Sequence, residues 1–231
     1  MDKKYKIIIY GIIINCLLIN NNSSWAQDSQ EKNLMCVNEQ KNINDYLLGV
    51  YHKEEQKLFE HMHKEIIMCK KSKQEDFVYY KFCREDKICV YSVMEYAKYI
   101  FQYAIEFDLD PWLIAAIALH ESNYNAFAIG KKGEKGLMQL HPNSPWGKKS
   151  KFVKNKQYWK YCKNVIGHCQ WEVIGIAAET LKGHLRAFGE LEKALSAYNT
   201  GSPNLGNKKY VKSVKDKREI LIKGKIINNC N

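Results

Sequence analysis

Proline is scarce in this chain, with 4 residues in 231, and glycine supplies only 13. So little of either, beside a 45% share of hydrophobic residues, excludes a collagen-like chain and a disordered, low-complexity one. Arginine is scarcer still: of 36 basic residues only Arg84, Arg186 and Arg218 are arginine. Readers of nucleic acid use the planar guanidinium fork on base edges and phosphates. The formal net charge of +11 therefore points to weak attraction toward an anionic surface or polymer, with no nucleic-acid partner. The strand-type alternation of Val, Ile and Thr is missing, as are internal repeats, so the fold is expected to be mainly α. Metal motifs are missing too. Cys83 and Cys89, like Cys162 and Cys169, lack the CxxC spacing, and His61 and His63 have no nearby partners. His120-Glu121 is not a zinc-protease motif, because Tyr124 stands where the second histidine would be. Neither a metal nor a cofactor is expected.

What is present begins with an export signature. Lys3, Lys4 and Lys6 form a basic end, Ile7 to Ile19 an apolar run, and Ser24-Trp25-Ala26 a small-residue cleavage site. The run is shorter than the about 20 residues of a membrane span, so residues 1–26 read as a cleaved signal peptide and the mature chain as lacking a transmembrane span. Asn15 before Cys16 argues against lipidation. Cleavage removes three lysines, one aspartate and one cysteine, taking the charge from +11 to +9. The protein is then periplasmic or secreted, and disulfides are chemically reasonable there. Cys83 with Cys89 and Cys162 with Cys169 are the local pairs; Cys36, Cys69 and Cys230 are left over.

Apolar side chains recur at helical spacing through most of the chain. Residues 44–70 carry Leu47, Leu48, Leu58, Phe59, Met62 and Ile66 on one stripe, and residues 92–107 carry Val93, Tyr96, Ile100 and Ala104. Asp110-Pro111 is a helix start, the aspartate as cap and the proline in the first helical position. From Trp112 to Leu119 the chain is almost wholly apolar, which predicts a helix buried on most sides. Residues 130–136 read as a loop and 142–170 as an irregular, cysteine-clipped excursion. Helical spacing returns over Trp171–Phe188 and Leu191–Tyr198, and Tyr210, Val214 and Leu221 mark a last amphipathic helix.

Glu121 is the most informative residue. Its carboxylate leaves an apolar helix near the C-terminal end, where burial and the helix's partial negative charge both disfavour ionisation. A general acid working near neutrality needs that displacement.

Around it the chain reads Glu121-Ser122-Asn123-Tyr124-Asn125, then Gly136-Leu137-Met138-Gln139, and much later Ala197-Tyr198-Asn199. These blocks, in this order, resemble the lytic transglycosylase family with the soluble-transglycosylase domain, over roughly residues 92–215. The resemblance implies a lysozyme-like helical domain at 92–215, preceded by a helical N-terminal extension at 27–91 and followed by a C-terminal tail at 216–231. It implies cleavage of peptidoglycan glycan strands between N-acetylmuramic acid and N-acetylglucosamine, the sugar's own 6-hydroxyl closing a 1,6-anhydro end. One protein carboxylate then suffices where most glycosidases need two. Glu121 would give a proton to the leaving oxygen and later take one from the 6-hydroxyl. Carried over in the same way, Gln139 and Tyr198 contact the sugar, Met138 and Asn199 line the groove, and Ser122 braces the helix end. Four positions depart from the family pattern: Gly130 replaces a usual serine, Ala126 a proline, His141 a methionine-like residue and Ala178 a tyrosine.

Two alternatives carry different expectations. A lysozyme-like muramidase would deliver water from the same Glu121 and need a second acid, for which Glu134 is the one acid in the motif region. A weakly active, wall-binding component of a secretion apparatus would use residues 27–91 to dock its partner. Lys131, Lys132 and Lys135 stand in the loop before Gly136, placed to meet the carboxylates of peptidoglycan stems.

Overall fold

The structure is a computed structural model describing residues 52–62, 86–163, 169–204 and 207–224. The chain divides into two units, Met1–Glu54 and Glu55–Asn231, and all described residues but the first three belong to the second. The described residues form eight helices and no strand: α1 (52–62), α2 (Asp86–Glu106), α3 (Pro111–Ser122), α4 (Lys151–Lys154), α5 (Lys156–Cys162), α6 (Gln170–Phe188), α7 (Leu191–Thr200) and α8 (Lys208–Ile222). The mainly α fold expected from the sequence is the fold observed. None of these helices is long and apolar enough to cross a membrane.

Helix α3 is the axis of the core. Every residue from Leu113 to Leu119 is buried, which an all-apolar helix requires, and α2 and α8 pack against it. Asp110 caps its start, accepting from the Trp112 N–H at 3.0 Å, with Pro111 next in line. Helix α2 also packs on α6, where Gly175 admits the Tyr103 ring; a Cβ at 175 would lie 2.6 Å from it. Helix α7 lies between α6 and α8 in the packing order. Helix α8 runs on to Ile222 because Leu221 is buried at 1% exposure.

Helix α1 docks on the same core through Leu58 and Met62, both fully buried. His61 Nδ1 donates to the Leu221 carbonyl, and its ring lies 5.3 Å from that of Trp112. The remainder of the 44–70 stripe falls outside the described residues.

The described part of the stretch 142–170 is more regular than its sequence suggests, since α4 and α5 form within it. The reason is local capping: the Ser150 hydroxyl accepts from the Val153 N–H at 3.2 Å, and Asn155 Oδ1 from Gln157 and Tyr158 N–H at 2.9 Å. Cys162 and Cys169 are joined by a disulfide, as expected. The pairing of Cys83 with Cys89 and the signal peptide at 1–26 lie outside the described residues.

Candidate active site

The site is built where α3 stops. Asn123 caps the helix in the left-handed region at φ 50°, its N–H bonded to the Leu119 carbonyl, and Tyr124 follows at φ 61°. Two consecutive left-handed residues turn the chain sharply back and bury Tyr124 completely. The loop that follows is stitched to the helix end. The single Ser122 hydroxyl proton is shared between Ala118 O at 3.0 Å and Leu137 O at 2.8 Å, so it braces α3 against the Gly136-Leu137-Met138-Gln139 block. Gln170, buried at the start of α6, accepts from the Leu137 N–H at 3.1 Å. Gly136, at φ 83°, lies so close to Phe152 that a Cβ would approach the ring to 2.9 Å.

Glu121 is partly buried and receives one hydrogen bond, donated by the Tyr210 hydroxyl to Oε1 at 2.8 Å. Its carboxyl is pushed up from 4.5 to about 7. Burial is the main cause, the like charge of Glu134 adds to it, and the Tyr210 hydrogen bond opposes it. Tyr210 and Tyr198 are both held well above the ordinary phenol value, by burial first and then by the negative charge of Glu121. The Tyr198 hydroxyl donates to Met138 O at 3.1 Å, tying α7 to the loop. Three helices and one loop thus converge on a single carboxyl.

Gln139 adopts φ 47° and gives its amide N–H groups to Ala128 O at 3.1 Å and Gly136 O at 2.9 Å, while its side-chain oxygen lies beside Gly130. Met138 differs from expectation: its side chain is 1% exposed and packs in the core rather than lining a groove, because the stitched loop turns it inward. What Met138 presents to the site is its backbone carbonyl. Asn199 is exposed near the end of α7. Of the loop lysines, Lys131 and Lys132 are exposed, whereas Lys135 Nζ donates to the Val153 carbonyl at 2.8 Å.

Tyr210 escaped the sequence reading. It stands 89 residues beyond Glu121 and fits the apolar stripe of α8, so nothing local marks it as a partner of the acid. Its ring is held by the edge of His120, 4.7 Å away, and His120 Nδ1 is hydrogen-bonded to Ser213 Oγ at 2.9 Å. No group of three or more His, Cys, Asp or Glu among the described residues is placed to hold a metal ion. A hollow of about 530 Å³ opens between α7 and α8, lined by Glu192, Lys193, Val211, Lys212 and Lys215, and includes none of these site residues.

A partly buried acid at a helix end, hydrogen-bonded by one phenol and backed by a stitched loop in an all-helical core, fits a lysozyme-like helical domain. The transglycosylase SLT domain matches residues 98–221, and the chain belongs to that family, with a transglycosylase-type function directed at peptidoglycan. No solved structure matches the chain.

Proposed function

We propose that this protein is a lytic transglycosylase that cleaves the bond between N-acetylmuramic acid and N-acetylglucosamine in peptidoglycan and leaves 1,6-anhydro ends. The observation that carries the reading is the state of Glu121: partly buried, hydrogen-bonded by Tyr210, and poised at about 7. Near neutrality such a group is divided between acid and base forms, so one carboxyl can serve both halves of the reaction. As the acid it protonates the glycosidic oxygen and the bond to the anomeric carbon breaks. As the carboxylate it then takes the proton of the 6-hydroxyl, whose oxygen closes on that carbon, and Glu121 returns to its starting form.

The other residues hold the pieces. The Gln139 side-chain oxygen accepts from a sugar hydroxyl or amide, while its N–H groups fix the loop. Tyr198, anchored through Met138 O, orients the acetamido group that steadies the cationic intermediate. Ser122 acts on the acid only by bracing the helix end. The protein works outside the cytoplasm, delivered by the signal at 1–26. Mass spectrometry of digested sacculi tests the proposal. Fragments ending in the anhydro sugar are lighter by one water than hydrolysis products, and hydrated ends alone would assign a muramidase instead.

A further inference from the structure

The hollow of about 530 Å³ between α7 and α8 holds none of the residues placed around Glu121, yet its size is that of a small-ligand site. Its floor is made by Val211 and Ser196, both buried, with Pro203 beside them. The Ser196 hydroxyl donates to Ser202 O at 2.9 Å, so its polar group is satisfied and the floor is in effect apolar. Around the rim stand Lys193, Lys208, Lys212 and Lys215 against Glu192 and Asp216, an excess of positive charge. Lys215 reaches across from α8 to Glu192 on α7 at 2.6 Å, Lys212 pairs with Asp216 and Lys193 with Glu190. Pairs this exposed are weak, so the ammonium groups can turn to a ligand at little cost. Lys208, in the first turn of α8, has no ion pair among the described residues. Resting on the reading that the protein acts on peptidoglycan, we propose that this hollow is a second substrate site, which holds the peptide stem of that polymer by its carboxylates.

The lining selects among the parts of the wall. A glycan strand without stems is uncharged and polar, which suits neither a ring of lysines nor an apolar floor. A phosphate-dense polymer would meet Glu192 and Asp216 on the same rim. A stem peptide carries carboxylates for the lysines, an amino group for either acid, and alanine methyls for Val211 and Pro203. Its length also fits. Tyr210 and Val211 are adjacent on α8, the first bonded to Glu121 and the second lining the hollow. From Val211 to the Glu121 carboxyl the path is one peptide link, one tyrosine side chain and a 2.8 Å hydrogen bond. Four extended residues span about 14 Å, a comparable length.

The test titrates the full chain, followed by ¹H–¹⁵N NMR, with the free stem tetrapeptide alanyl-glutamyl-diaminopimelyl-alanine. Saturable shifts should centre on the amides of Ser196, Val211 and Lys212, and Kd should rise with added salt as exposed charges are screened. The same peptide with its carboxylates esterified should bind more weakly. In Lys208→Gln with Lys212→Gln, Kd should rise about fivefold, the order expected for two exposed charge contacts. Absence of shifts, shifts centred on Gln139 and Tyr198 instead, or an unchanged Kd in the double variant would each overturn the proposal. So would inorganic phosphate moving the same amides as strongly as the peptide, which would mark a general anion site. On sacculi the double variant should raise KM by a similar factor and leave kcat in place. On glycan strands stripped of their stems it should match the wild type, whereas a merely structural defect would lower activity on both substrates and overturn the assignment. The peptide titration involves no bond cleavage, so it stands or falls separately from the anhydro-product assay.

Discussion

Replacing Glu121 by Gln should cost activity and raise stability at once. Glutamine keeps an acceptor for the Tyr210 hydroxyl but has no proton to give, so glycan cleavage should fall on the order of 10²–10⁴-fold. The stability effect follows from the carboxyl being held at about 7 in the fold against 4.5 ordinarily. Below 4.5 the group is protonated in both folded and unfolded chains and costs nothing. As pH rises from there toward about 7, the unfolded chain ionises freely while the folded site resists, so the wild type loses stability. At about 1.4 kcal/mol per pH unit this loss amounts to roughly 3 kcal/mol, complete once the pH passes about 7. The Gln variant escapes it. For a domain of this size that is about 6–12 °C in Tm, read by thermal melting across the pH range. The two proteins should melt together below pH 4.5 and separate above it. A difference that stays constant over the range would refute the claim that burial holds the carboxyl up, and undiminished glycan release would remove Glu121 from the acid role.

Tyr210→Phe removes the hydrogen bond that opposes the displacement of Glu121, so the acid form should persist to higher pH and the high-pH limb of kcat should move up; a downward move would show that the bond favours the neutral acid. Ser122→Ala leaves the Leu137 carbonyl without its side-chain donor and should cost about 1–3 kcal/mol in urea unfolding, with an unchanged midpoint counting against the brace. Cys162→Ser with Cys169→Ser should lower stability by about 2 kcal/mol on the chain-entropy account, and peptide mapping of the unreduced wild type should find the two joined.

The elements that announce themselves in this sequence are those whose cause is local. Asp110-Pro111 followed by an apolar run states both where α3 begins and that it is buried, because cap and periodicity are properties of adjacent residues. Glu121 was legible for the same reason: the helix that buries it is the segment that precedes it. Capping likewise underlies α4 and α5, but Ser150 and Asn155 lie among prolines and lysines that mask their effect. Tyr210 and the inward turn of Met138 were not legible. The first depends on α8 meeting α3 across 89 residues, and the second on left-handed turns and cross-loop hydrogen bonds with no hydropathy signature. Gly130 was visible as a departure from the family pattern. That a carboxylate fills the space it leaves became evident only in three dimensions.

The docking of α1 has a consequence for what counts as the module. Residues 98–221 are what the family shares, yet the core of this chain also includes side chains that precede that stretch. Leu58 and Met62 plug it, Lys57 lies 6.0 Å over the Trp112 ring, and His61 joins that ring to the last turn of α8. A polypeptide cut to the family's limits would retain Glu121, Gln139, Tyr198 and Tyr210 and still open an apolar socket to water at both Trp112 and Leu221. Trp112 begins the same rod that Glu121 ends, so what seats the rod's far end also fixes the helix from which Glu121 projects. Here the inherited unit and the packed unit have different borders, and the packed unit is the larger of the two.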